Sequence, residues 1–161
     1  TQSFGEFNLP EGKSLLSIGS EVGFATENFV DTNNLRESLV ATAKKFLNVP
    51  FLWGGRSFFG IDDSGFVQLL YKVHGIALPR DPEQQALQGT ARDFVEESEA
   101  GDLAFFEDAE GKIVHVGLVL SPFEIIHASG KVRIDSLDFS GIYNAEQNKH
   151  THKLRFVKTM I

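Results

Sequence analysis

Between residues 101 and 135 the chain is cut into four short apolar-rich runs, and that spacing leaves few folds open. The runs are 103–106, 113–120, 123–128 and 131–135, parted by segments that hold Gly111, Ser121-Pro122 and Ser129-Gly130. Runs of this length, bounded by Gly, Pro and Ser, read as strands. Connections of a few residues join only antiparallel neighbours, because a parallel crossover needs a dozen residues or more. An antiparallel meander is therefore expected here.

Ahead of it the apolar period is helical. Leu35, Leu39, Ala43, Phe46 and Leu47 share one face behind Asn34, a candidate N-cap with Glu37 three residues on, and Pro50 is expected to end the run. A second helix is expected over 63–74, burying Phe66, Val67, Leu70 and Val73 and stopping at Gly75. A third opens at Asp81-Pro82-Glu83-Gln84, with Asp as cap, Pro at the first helical position and Gln closing a capping box. Helices followed by an antiparallel meander make an α+β domain. Residues 1–34 form an N-terminal extension with apolar pieces at 15–18 and 22–25, read as one or two short strands before a polar linker at 31–34.

A net charge of −7 argues against a nucleic-acid partner, which would need clustered Lys and Arg. No apolar run reaches the roughly 20 residues of a membrane span. The chain has no cysteine, so no thiol is on hand as nucleophile or metal ligand.

Two histidines stand out. Alternation along 113–120 puts His115 on one strand face with Ile113 and Gly117, and His127 lies on the next strand. A hairpin centred on Ser121, beside Pro122, would set His115 directly opposite His127, within contact distance. His74, His150 and His152 read as solvated surface residues.

Six stretches in order resemble the NlpC/P60 family, particularly its Bacteroidetes-type and Bacillus-type γ-D-glutamyl-L-diamino-acid endopeptidases. They are Phe51-Leu52-Trp53-Gly54-Gly55, Gly60-Ile61-Asp62-Asp63-Ser64-Gly65, Leu78-Pro79-Arg80-Asp81, Gly101-Asp102-Leu103, His115-Val116-Gly117 and Ile126-His127-Ala128. The likeness runs from about Leu35 to Ile161, and it implies a papain-like fold with helices packed on an antiparallel sheet. Residues 1–34 would then be the tail of an SH3-like domain plus linker. The resemblance implies a nucleophile at position 63, His115 as its base and His127 orienting that imidazole. Phe51, Trp53, Ser64 and Asp81 would line the substrate site, Asp81 receiving the free amine of an N-terminal L-Ala. It also implies a place in the cell envelope or outside the cell, a cell-wall peptide as partner, and no cofactor.

The sequence departs from that pattern where the chemistry happens. The family reads Asp-Cys-Ser-Gly; here it is Asp62-Asp63-Ser64-Gly65, and Phe51 stands where these enzymes usually carry Tyr. Pro82 replaces the Ser that normally follows the amine-binding Asp. The expectation is a catalytically inactive domain that binds muropeptide-like ligands or a partner through the inherited cleft. Two alternatives stand beside it. One is hydrolysis, by a cysteine native at 63 or by water activated between Asp63 and His115. The other is a metal bound by Asp63, His115 and His127.

Overall fold

The computed structural model describes residues 13–18, 21–26 and 32–161, the first two segments as backbone alone. The chain divides into two compact units, Thr1–Asp31 and Thr32–Ile161. In the first, β1 (Lys13–Ile18) and β2 (Glu21–Thr26) form an antiparallel hairpin with Leu15 opposite Phe24. Both apolar pieces singled out above lie in it, and the remainder of the extension up to Asp31 lies outside the described residues.

The second unit runs α1 (Thr32–Lys44), β3 (Arg56–Ser57), β4 (Gly60–Ile61), α2 (Asp63–Val73), α3 (Pro82–Gln85) and β5 (Thr90–Ala91). It continues with β6 (Leu103–Glu107), β7 (Ile113–Ser121), β8 (Glu124–Ser129), β9 (Lys131–Asp138), β10 (Gly141–Asn144) and β11 (Lys149–Thr159). Strands β6 to β9 are the expected antiparallel meander. Strand β10 pairs with both β9 and β11, and β11 pairs with β6, so six strands close into a barrel. Strand β5 adds to the far end of β11.

Closure sorts the apolar residues into two cores. Ala104, Phe106, Val119, Ile125, Leu137, Ile142 and Val157 come from all six barrel strands and cluster together, so they fill the lumen. Alternate residues of the same strands, among them Leu103, Phe105, Val116, Leu118 and Ile126, pack instead with Leu39 and Ala43 of α1 and Phe66, Val67, Leu70 and Tyr71 of α2. Period-two alternation produces this division. Each large side chain buried under the helices contributes about 1.5–3 kcal/mol.

Several sequence expectations shift in detail. Helix α1 begins at Thr32, so Asn34 lies inside its first turn rather than capping it. It ends at Lys44, well before Pro50, because Asn48 turns left-handed (φ 68°) to donate its amide to the Val132 carbonyl at 2.9 Å. Leu47 and Val73 are exposed, since each sits where its helix has already run past the core.

Candidate active site

The site is assembled at the start of α2. Asp62 is the N-cap, in extended conformation (φ −94°, ψ 175°), and its Oδ1 accepts from the Gly65 amide at 2.7 Å. Its Oδ2 accepts from the Gly54 amide at 2.8 Å and from the Arg80 guanidinium. One carboxylate thus ties the Trp53-Gly54-Gly55 turn and the segment bearing Arg80 to the helix start. The glycines are required: Gly54 sits at φ 75°, and a Cβ on Gly55 would lie 2.4 Å from the Gly60 carbonyl oxygen.

Asp63 opens the helix and reaches toward the barrel. Its Oδ2 lies 2.8 Å from Nδ1 of His115 and accepts from the Val116 amide at 3.1 Å. Burial alone would raise the Asp63 carboxyl. The hydrogen bond and charge of His115, with the Ser64 and Val116 amides, outweigh burial and hold it below the ordinary carboxylate value.

Behind His115 the chain of contacts continues. Its Nε2 lies 2.9 Å from Nδ1 of His127, and Nε2 of His127 lies 3.0 Å from Oδ2 of Asp135. Arg133 closes the line with a two-pronged contact to Asp135, Nε to Oδ2 at 2.7 Å and Nη2 to Oδ1 at 3.1 Å. Donation from Nδ1 of His115 to Asp63 and from Nε2 of His127 to Asp135 leaves one proton to be shared between Nε2 of His115 and Nδ1 of His127.

The two histidines meet, though not by the register expected. Leu118 pairs with Ile126 and Val119 with Ile125, so the turn is the two residues Pro122-Phe123, and His127 faces Gly117. His115 is its diagonal neighbour. Gly117 makes that possible, because a Cβ there would come 2.9 Å from Cβ of His127.

His152 corrects the surface reading. It is half-buried, its ring stacked on that of His115 with centroids 4.2 Å apart and planes 27° from parallel. Its strand partner is Ile142, a lumen residue, so β11 aims this imidazole inward. Burial, then the charges of His115 and His127, push the His152 imidazole down to about 3. Burial, with the charges of His115 and Arg133, also lowers that of His127 against the opposing pull of Asp135. His150 is exposed against Asp138, and His74 is half-buried, its Nδ1 2.7 Å from the Leu70 carbonyl oxygen.

These shifts give stability a definite pH dependence. A group held neutral in the fold lets the unfolded chain take up its proton first as pH falls. The stability owed to neutral His127 and His152 is complete above about pH 6.5. It declines below that value, for His152 down to about 3. Asp63 and Asp135, both lowered, act in the same sense further down: their contribution is present above about pH 3.9 and is lost as pH falls through their folded values. The urea midpoint should therefore fall from pH 7 to pH 4, and His152→Phe should flatten that slope. An unchanged slope in the variant would contradict the burial of this imidazole.

The remaining expected site residues are placed less uniformly. Phe51 is 37% exposed and Trp53 is 88% exposed, so Trp53 is no core residue. Ser64 is buried and its hydroxyl accepts from Arg80 at 2.8 Å. Asp81 is the N-cap residue of α3 but makes no side-chain cap, and it is exposed. Helix α3 is four residues long, with Gln85 buried and its Nε2 donating to the Ser64 and Pro79 carbonyls at 3.0 and 2.9 Å.

Asp62, Arg80, Arg133, Asp135 and His152 escaped the reading of the sequence as site residues. An Asp just before a helix is a recognisable cap pattern, and Asp135 lies one strand on from His127, two residues from its cross-strand partner Arg133. Nothing local marks His152, because its position depends on barrel closure.

An aspartate at a helix N-terminus, an imidazole across from it on a barrel strand, and a second buried imidazole behind that one have the arrangement expected of a papain-like catalytic line. The NlpC/P60 family profile matches residues 48–154. The chain belongs to the NlpC/P60 family. It is 37% identical over 123 residues to a γ-D-glutamyl-L-lysine dipeptidyl-peptidase of Bacillus cereus, across 74% of this chain and 36% of that protein. A crystal structure of an NlpC/P60 family protein from Bacillus cereus superposes with a TM-score of 0.68 at 26% identity, over 96% of this chain and 52% of the other. RipD from Mycobacterium tuberculosis, described as a non-catalytic NlpC/P60 domain protein adapted to peptidoglycan binding, shares the fold (TM-score 0.62, 21% identity, 79% and 98% covered). This NlpC/P60 chain spans about a third of the length of the curated relatives it matches.

Proposed function

We propose that this NlpC/P60 domain binds a peptidoglycan-type peptide through its cleft, at the cell wall or outside the cell, without cleaving it. The observation that carries this reading is the carboxylate at position 63, engaged by His115 at 2.8 Å and by the Val116 amide. Carboxylate attack on an amide would give an anhydride, far more activated than the bond broken, so the expelled amine would return. The negative charge would also oppose a developing oxyanion. Asp63, His115 and His127 therefore stand as an inherited catalytic line without its nucleophile.

What favours binding is the part of the cleft that persists. Exposed Asp81 follows Arg80, which is locked to Asp62 and Ser64, so an acidic group is held on a fixed segment beside the helix start. The γ-D-glutamyl-L-lysine in the relatives' name points to peptides in which D-Glu is joined through its side chain to a diamino acid, and the family resemblance adds a preceding L-Ala. Phe51 and the exposed Trp53 offer apolar surface on the adjoining loop. The hairpin and its flanks, residues 1–34, would supply the tail of an SH3-like domain and a linker to the catalytic-type domain beginning near Leu35.

A peptide with a free N-terminal L-Ala is expected to bind more tightly than its N-acetylated form. Losing a charged hydrogen bond costs roughly 1.5–3 kcal/mol, or about tenfold to a hundredfold in affinity. Asp81→Asn should shrink that ratio, because a neutral amide is a weaker partner for an ammonium group. Calorimetry with the free and blocked peptides reads the ratio directly. Equal binding, or none at millimolar peptide, would remove Asp81 from the ligand site and favour a protein partner.

A further inference from the structure

The inner side of the catalytic line holds a second constellation, which depends on His152. One ring nitrogen from each of His115, His127 and His152 lies within 4.8 Å of the other two. The facing pair, Nε2 of His115 and Nδ1 of His127, are 2.9 Å apart. On His115 and His127 the nitrogen turned away from this pair is occupied by an oxygen, and one nitrogen of His152 also has an oxygen neighbour. Asp63 Oδ2 sits 2.8 Å from His115 Nδ1, Asp135 Oδ2 sits 3.0 Å from His127 Nε2, and Thr151 Oγ1 sits 2.8 Å from His152 Nδ1. Imidazoles that ligate metals show this pattern: one nitrogen bound to the ion, the other fixed by a carboxylate, carbonyl or hydroxyl that sets the tautomer.

We propose that His115, His127 and His152 form a binding site for a divalent transition-metal ion of the zinc type, with Asp63, Asp135 and Thr151 as the outer groups that orient them. Three neutral imidazoles are the donor set such ions prefer, and a four-coordinate ion would keep one position for water. The assignment differs from a set made of Asp63, His115 and His127, because Asp63 occupies the outer nitrogen of His115 and holds it in place for the ion.

The geometry needs only a small adjustment. A tetrahedral ion with nitrogens about 2.0–2.1 Å away keeps them about 3.3 Å apart, so the His115–His127 pair would open by about 0.4 Å and His152 would close by up to about 1.5 Å. His152 lies on a barrel strand whose neighbouring residue His150 is solvent-exposed. A cleft lined by Phe106, Glu107, Val114, His150, Thr151 and His152 gives the ion a route from solvent. The ion would replace the proton now shared between His115 and His127, so binding and proton release are coupled.

The test uses the intact chain, stripped with a chelator and titrated with zinc chloride by calorimetry, and with cobalt(II) chloride by absorption. One ion per chain, with the intense visible bands of four-coordinate cobalt, is expected. His152→Phe preserves the stacked ring but removes the third nitrogen, and it should abolish the cobalt bands while leaving far-UV circular dichroism unchanged. Thr151→Val should weaken binding about 10- to 100-fold, the usual effect of deleting an outer-shell partner. Unaltered zinc affinity in both variants, or no saturable binding by the parent chain, would overturn the site. A His152→Phe chain that fails to fold leaves Thr151→Val to decide. Neither result bears on peptide binding through Asp81.

Discussion

Asp63→Cys is expected to turn this chain into a peptidase. The position is already equipped for a thiolate: it opens helix α2, lies against Nδ1 of His115 and receives the Val116 amide. A helix N-terminus and an adjacent imidazolium each lower a thiol from its ordinary value near 8.5, and the same groups that depress the Asp63 carboxyl would act on sulfur. His115 then carries the proton to the leaving amine, and His127, anchored by Asp135 and Arg133, holds the ring in register. Loss of the nucleophile in a triad enzyme costs on the order of 10⁶ in turnover, so restoring it should raise cleavage of an L-Ala-γ-D-Glu-diamino-acid peptide from undetectable to readily measured. Chromatography of the products and labelling by a thiol-directed inhibitor give two independent readouts. Labelling without cleavage would show that the thiolate forms but the cleft no longer positions the peptide, with Phe51 the next residue to revert. A folded variant that neither cleaves nor labels would refute the catalytic reading of this geometry. Conversely, turnover by the parent chain that vanishes in Asp63→Ala would show that the carboxylate itself is catalytic.

The largest loss of stability is expected from Asp102→Ala. This carboxylate is fully buried. Its Oδ1 accepts from Arg36 at 2.8 Å, and its Oδ2 accepts from Arg92 and from the Glu99 amide at 2.9 and 3.0 Å. It thereby ties helix α1 to the first strand of the meander and to the segment after β5. Removing one partner of a buried ion pair strands the others, here two guanidinium groups that are mostly shielded from solvent, and typically costs about 3–5 kcal/mol. For a domain of this size that amounts to a drop of roughly 10–20 °C in melting temperature. Glu99 meets the same arginines from an exposed position, and Glu99→Ala should cost no more than about 1 kcal/mol. Similar losses in the two variants would show that water reaches the cluster and that Asp102 is not the keystone. The sequence marks Gly101-Asp102-Leu103 only as a stretch of family likeness; the contacts assign it to stability rather than to the chemistry.

How much of this was legible follows the range of the interactions involved. Period and punctuation were enough for α2, for strands β6 to β9 and for the pairing of two histidines across a hairpin, because each depends on residues close in sequence. Family likeness was enough to single out Asp63 as the departure from a cysteine. A boundary failed where a distant contact overrode local preference: Asn48 leaves the helix to reach Val132. At α3 the boundary held, with Asp81 as N-cap and Pro82 first in the helix, and only the side-chain cap is missing. The hairpin register slipped because an irregularity between Val119 and Ser121 offsets the strands, and Gly117, without a side chain, leaves room for His127 opposite it. Strand β11 went unread because a bulge between Leu154 and Phe156 breaks its alternation.

The sequence by itself determined the α+β class, the antiparallel meander, the family and the absence of a thiol at position 63, since these reside in residue identity and short-range periodicity. Only the tertiary structure decided that β10 and β11 close the barrel and that Arg133 and Asp135 anchor His127. Closure also carries His152 inward from a strand that reads as polar surface, and turns a pair of histidines into three. The reason is physical: a strand's two faces are distinguished only by what packs against them, and for β11 both partners lie far away along the chain.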